Sequence, residues 1–310
     1  MREPTAASSA PSTKGRSEAN EAAMPPVLRI PQRVVMIATV SSGACRWEDP
    51  PVTDGYPLPP AMIKRAREFS GPAAAARPAA TVVLLRDRHP GFEAYVLRRA
   101  AAMAFGGVYA FPGGGVDPDD RPETVRETWS DLLGVPGAEA RAVIGAAVRE
   151  LFEEAGVLLA GGIEDGGALT DVAGPEWEAD RLAVQRRELR MADLLARRGL
   201  RLRDDLLHPW GRWVTPEFEP RRYDTWFFVA ALPDGQEARD VSGESDGVAW
   251  IRPGDTAGLT MLPPTRVTLD ALSAYPSMVE VFGAKRDAAV PVQPRVELTG
   301  DGGAVLRVEA

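Results

Sequence analysis

The sequence predicts an α/β protein, a mixed sheet with helices interleaved. Three observations predict it: an early pair of β-branched strands around a short turn, a long helix backed by apolar residues and ended by glycine, and three later apolar strands before a closing helix.

In chain order, residues 81–85 form a β-branched and aliphatic strand, 86–91 a turn and 93–98 a second strand, together a hairpin. A glycine-rich loop over 106–115 follows, ending in Phe111-Pro112-Gly113-Gly114-Gly115, where missing Cβ atoms let backbone come close to a ligand. Residues 121–148 make an excursion with enough apolar residues for a short helix between 123 and 133. The main helix spans about 138–155, with Gly156 as its C-terminal cap. The stretch 174–198 reads as one long polar helix laced with Arg and Glu, a solvated face. Core strands follow at 210–215, 225–231 and 248–251, then a closing helix over 264–274 and a terminal hairpin around 299–303.

These elements divide the chain into a poorly ordered leader (1–75), a main folded domain (76–286) with excursions near 121–148 and 160–207, and a C-terminal tail (287–310). Residues 1–24 are rich in Ala, Ser, Pro and charge, a composition that cannot bury a core. The apolar run 34–40 ahead of Cys45 faintly resembles a lipoprotein signal, but it falls far short of the roughly 20 residues that span a bilayer. A short strand, or a true start at Met62, is the other reading.

With 310 residues, 45% of them hydrophobic and 26% charged, the chain has ordinary globular composition. A net charge of −8 argues against a nucleic-acid polymer as partner, since backbone binding needs a basic footprint. One cysteine excludes an internal disulfide framework, so the expected compartment is cytoplasmic, with no membrane partner. Oligomeric state is not readable. Two histidines make a His-rich zinc site implausible, and neither a G-x-S-x-G elbow nor a phosphate-cradling G-x-x-x-x-G-K-[ST] loop is present.

The chemistry concentrates in Arg149-Glu150-Leu151-Phe152-Glu153-Glu154-Ala155-Gly156-Val157. Residues at i, i+3 and i+4 are neighbours on a helix, so Glu150, Glu153 and Glu154 share a face. Their charges repel unless a cation neutralises them, and hard carboxylate oxygens suit Mg²⁺ or Mn²⁺ better than zinc.

Together with the glycine loop, these residues resemble the Nudix hydrolase superfamily, whose signature reads G-x5-E-x7-R-E-U-x-E-E-x-G-U, with U a bulky aliphatic residue. The second half matches at every fixed position. The first half departs: counting from Gly114, Asp120 stands where the first glutamate belongs, and residues 121–148 replace the seven-residue spacer. Asp120 or Asp117 takes that glutamate's place. A long insert inside the motif is similar to the acyl-coenzyme A diphosphatase branch (nucleoside diphosphate-linked moiety X motif 19), as are His208-Pro209-Trp210 with Trp213, and Arg221-Arg222-Tyr223-Asp224-Thr225 with Phe227-Phe228. The likeness covers about residues 80–285.

The resemblance implies an α/β/α sandwich and metal-dependent hydrolysis of a pyrophosphate bond in a small nucleoside diphosphate derivative. It implies the Gly113 carbonyl, Glu150, Glu153 and Glu154 as metal ligands, Arg149 as the residue orienting a motif carboxylate, and Glu154 or Glu153 as base. Glu244, six residues before Trp250, occupies the place of a further loop acid, or is simply an exposed glutamate. Coenzyme A or acyl-coenzyme A is the expected substrate, because Val96-Leu97-Arg98-Arg99-Ala100, Gly107 and Phe111-Pro112-Gly113-Gly114 reproduce part of a pattern seen in coenzyme A-cleaving relatives. Arg99 and Arg222 are the candidate substrate contacts. ADP-ribose, dinucleotide polyphosphates and nucleotide sugars are the alternatives, and a catalytically silent ligand-binding regulator is the rival class.

Overall fold

A computed structural model describes residues 56–58, 60–102, 106–163, 167–300 and 303–308, all within a compact unit running from 48 to 310. Residues 1–47, with the 34–40 run and Cys45, lie outside the described residues. No described helix is long and apolar enough to cross a membrane.

The elements in order begin with β1 (Tyr56–Pro57), α1 (Pro60–Glu68), β2 (Ala76–Asp87), β3 (Phe92–Arg99), β4 (Tyr109–Ala110) and β5 (Gly113–Gly115). Then come α2 (Trp129–Leu133), α3 (Gly137–Ala155), β6 (Ala160–Gly162), α4 (Pro175–Gln185), α5 (Met191–Arg197) and β7 (Leu200–Leu202). The chain closes with β8 (His208–Val214), β9 (Arg222–Ala231), β10 (Ser245–Ile251), α6 (Pro263–Ser273), α7 (Met278–Gly283), β11 (Arg295–Leu298) and β12 (Ala304–Arg307).

The central sheet is mixed, in the order β10-β3-β2-β9-β8, with β4 added to β3 and β5 to β2. β2 and β9 run parallel from Ala76 opposite Arg222 to Leu85 opposite Ala231, while the other pairings are antiparallel. Side chains alternate across a strand. Ala80, Val82 and Leu84 of β2 therefore enter one core beneath α2, α3, α4 and α5, and Val83 and Leu85 enter a second core beneath α6 and α7. Helices on both faces make the α/β/α sandwich.

α3 forms because Ala140, Val143, Ile144, Ala147, Val148, Leu151, Phe152 and Ala155 repeat at helical spacing and are all buried against the sheet. Each large side chain among them contributes about 1.5–3 kcal/mol by leaving water. Gly156 ends the helix in the left-handed region (φ 66°), its N–H bonded to Phe152 O at 3.0 Å.

Three expectations change. The last part of the expected leader is built: α1 buries Met62, which packs with Leu58 and Phe218 against Ala304 and Leu306, and β1 pairs with β12. The terminal hairpin supplies the apolar surface that this segment lacks on its own. The stretch 174–198 is two helices, α4 and α5, not one solvated helix. Val184, Met191, Leu194 and Leu195 are buried in the core they share with α3, Arg181 bonds the Glu153 carbonyl of α3, and Asp180 is buried against Arg197 and Arg198. β8 begins at His208, with a bulge between Pro209 and Gly211 that lets the proline stay in the strand.

Candidate active site

The site lies where β5 meets the C-terminal half of α3. β5 is three glycines, and each of the first two is there because backbone or a carboxylate fills the space of a side chain. A Cβ on Gly113 would lie 2.5 Å from Thr81 Oγ1 and 2.6 Å from Ala80 O; one on Gly114 would lie 2.5 Å from Glu150 Oε1. Ladder bonds to β2 flank this strand, from Val82 N to Pro112 O and from Val116 N to Pro78 O. By antiparallel alternation, the polar groups of Gly113 and Gly115 then face away from β2 and toward α3. Gly113 N–H donates to Glu154 Oε2 at 2.9 Å, and Gly115 O accepts from Arg149 Nη2 at 2.9 Å.

Arg149 ties the acids together. Its Nε and Nη2 donate to the two oxygens of Asp120 at 2.7 and 2.8 Å, while Nη1 donates to Glu150 Oε1 at 2.6 Å and Glu153 Oε1 at 3.2 Å. Asp120 and Arg149 are each only 3% exposed. Of the two acids that the motif spacing left open, it is Asp120 that makes the fork-to-fork pair with Arg149, and Asp117 supports it by donating its N–H to Asp120 Oδ2 at 2.7 Å. Gly145 makes the close approach feasible, since a Cβ there would sit 2.9 Å from Pro122 Cδ and 3.1 Å from the Asp120 backbone.

Glu150, Glu153 and Glu154 are 7, 6 and 9% exposed. Burial pushes the Glu154 carboxyl up to about 8; Glu150 and Glu244 add to the rise, and the Gly113 N–H and Arg99 oppose it. Burial likewise pushes Glu150 up to about 7 against the pull of Arg149. For Arg149 burial acts downward, but the Asp120 hydrogen bond, then Glu150 and Glu153, hold its guanidinium well above the ordinary value.

The donors of the site are all hard oxygens, which fits Mg²⁺ or Mn²⁺. As they lie, no three or more His, Cys, Asp or Glu side chains among the described residues are gathered to hold a metal ion. Glu150 and Glu153 are turned onto arginines.

Two loop predictions come together here. Ala100 N bonds Glu244 O at 2.8 Å, which sets the exposed Glu244 at the end of β3 beside Arg99, and both charges act on Glu154. Arg222 is engaged elsewhere: its Nε donates to Thr215 O at 3.0 Å and its Nη1 to Ala74 O at 2.8 Å, fixing the start of β9. Its neighbour Asp224 pairs with Arg212 at 2.7 Å.

The sequence reading missed Arg181 and Arg187. Arg181 is 1% exposed; its Nη1 donates to Glu153 O at 2.7 Å while its Nη2 pairs with Glu178 at 2.6 Å, fastening α4 to α3. Arg187, in the α4–α5 turn, donates from Nη1 to Glu153 Oε1 at 2.5 Å, and its Nε lies 3.2 Å from Asp117 Oδ2. Both stand in a run of alternating charge that on its own signals only a solvated helix.

Against known proteins, a family model for the NUDT19 Nudix domain matches residues 133–261. A Nudix hydrolase from Alicyclobacillus acidocaldarius is 28% identical, with 69% of this chain and 99% of that chain covered and a TM-score of 0.58. A C. elegans Ap4A hydrolase in a binary complex is 15% identical over 64% of this chain and 96% of its own, with a TM-score of 0.36. The M. smegmatis Nudix hydrolase RenU is 14% identical over 66% and 94%, with a TM-score of 0.34. The Alicyclobacillus likeness supports the fold; the two lower-scoring ones add nothing to it.

Proposed function

The chain is a Nudix pyrophosphohydrolase resembling the NUDT19 branch, and from that premise we propose that it cleaves the diphosphate of coenzyme A or an acyl-coenzyme A, using Mg²⁺ or Mn²⁺. Hydrolysis of a pyrophosphate bond in a nucleoside diphosphate-linked substrate is the reaction class of the fold. The finer reading rests on the NUDT19 match and on Arg99. That residue lies in the partial coenzyme A pattern and is near enough to Glu154 to act on its charge.

The observation that carries the chemistry is the burial of Glu150, Glu153 and Glu154 on one face of α3, opposite the bare backbone of β5. These three carboxylates and the Gly113 carbonyl would hold the divalent ion. When bound, that ion supplies the positive charge a diphosphate needs and makes a neighbouring water more acidic.

The chain's own groups do the rest. Gly113 N–H holds one oxygen of Glu154 and so fixes its carboxylate, and Glu154 or Glu153 would accept the proton of the water as that water attacks phosphorus and the anhydride P–O bond breaks. Arg149, locked to Asp120, sets the rotamer of Glu150 and the position of β5. Arg99 and Glu244, whose charges both act on Glu154, would meet the substrate, the arginine for an anionic oxygen and the glutamate for the water shell around it.

A panel of diphosphates incubated with Mg²⁺ or Mn²⁺ and resolved by mass spectrometry tests this reading. Release of 3′,5′-adenosine diphosphate and a phosphopantetheine fragment from coenzyme A or its thioesters is the expected result. Turnover confined to ADP-ribose, dinucleotide polyphosphates or nucleotide sugars would replace the substrate, and no turnover of any diphosphate would remove the reading.

A further inference from the structure

We propose that Arg187 is a built-in countercation of the active site, which pairs with Glu153 and competes with a divalent ion for that carboxylate. The inference rests on the reading of Glu150, Glu153 and Glu154 as metal ligands. It goes beyond that reading by assigning a role to a residue outside the motif, brought in by the second insertion.

Four observations carry it. The first is contact: Arg187 Nη1 lies 2.5 Å from Glu153 Oε1, and its Nε lies 3.2 Å from Asp117 Oδ2, so it bridges α3 and the loop that leads to Asp120. The second is backbone conformation. Arg187 has φ 61°, the one non-glycine residue in the left-handed region among the described residues. A long side chain at such a position costs free energy that the surroundings must repay, and such residues cluster where function holds them.

The third is that the turn is anchored on both sides. Arg181 bonds the Glu153 carbonyl, Trp177 meets Phe152 edge-on at 6.5 Å, and Arg198 covers Trp177 at 3.8 Å. The guanidinium is therefore delivered to Glu153 by a packed scaffold. The fourth is the difference between the two arginines on Glu153. Arg149 is locked by Asp120 and buried, whereas the Arg187 side chain is 45% exposed and can leave into solvent at little cost.

A monocation that can leave and a divalent ion that binds at the same oxygen compete. Once displaced, the Arg187 guanidinium remains tethered beside the site, where the diphosphate of the substrate offers it new oxygens.

The test is direct Mn²⁺ binding, followed by the electron paramagnetic resonance of free Mn²⁺ without substrate, on the full chain and on Arg187→Gln, Arg187→Gly and Arg187→Lys. Glycine at this φ removes both charge and strain, so it guards against misfolding by the glutamine variant. Removing the competitor should tighten Mn²⁺ binding roughly threefold to tenfold in the Gln and Gly variants, the size expected for one partly exposed ion pair, while the Lys variant stays near wild type. Equal or weaker Mn²⁺ binding in both uncharged variants overturns the proposal. Absence of Mn²⁺ binding by the wild type as well overturns instead the metal-ligand reading beneath it, and the exchange falls with it.

Discussion

Asp120 is one methylene shorter than a glutamate, yet it receives the two-point pair from Arg149. The loop bearing it rests on Gly145, where a side chain would collide, so backbone approach makes up for side-chain reach. Sequence spacing alone left Asp117 and Asp120 open, because choosing between carboxylates three residues apart depends on where an insertion returns the chain to the helix. Arg187 was illegible for the same reason: nothing in its local pattern says which surface its turn will face. Asp120→Asn keeps the shape and removes the charge, leaving a buried guanidinium without its main partner. It should lower the stability of the metal-free protein by about 3–5 kcal/mol, read from urea unfolding. An unchanged unfolding midpoint would mean that the pair does not hold the loop to α3.

α3 was the most legible element, since its apolar repeat, its glycine cap and its three glutamates are all local signals. Its burial was not legible: a helix laced with carboxylates reads as half solvated, whereas α4 and the Arg187 turn cover the acidic face. That burial has a pH consequence. Glu150 and Glu154 titrate near 7 and 8 in the folded protein against an ordinary 4.5, so the fold binds their protons more tightly than the unfolded chain does. Their contribution is fully present below about pH 4.5 and is lost as pH rises through 7 to 8. Arg149, Arg187 and Arg99 face these groups and oppose the loss, while Glu153 and Glu244 add to it. In EDTA, the melting temperature should fall between pH 6 and pH 9, and the fall should shrink in Glu154→Gln. Parallel pH profiles for the two proteins would contradict this account of the helix.

At the scale of the whole molecule, the class of fold could be read because β2 and β9 are β-branched and apolar on both faces, the mark of strands covered by helices on each side. The small sheet of β6 and β7, and the docking of α1 on the terminal hairpin, could not be read. Both join short segments far apart in sequence, whose pairing is decided by tertiary contact and not by local preference. What this architecture achieves is to set the glycine strand β5 against buried acids on α3, with α4 and the Arg187 turn bonded to Glu153 beside them. The central claim is that these acids perform the hydrolysis. Its most direct test is kcat of Glu154→Gln at saturating Mg²⁺, on whichever diphosphate the wild type cleaves, with the unfolding midpoint measured alongside. The account predicts a fall of roughly 10²–10⁴-fold with the midpoint held or raised; turnover equal to wild type would contradict it.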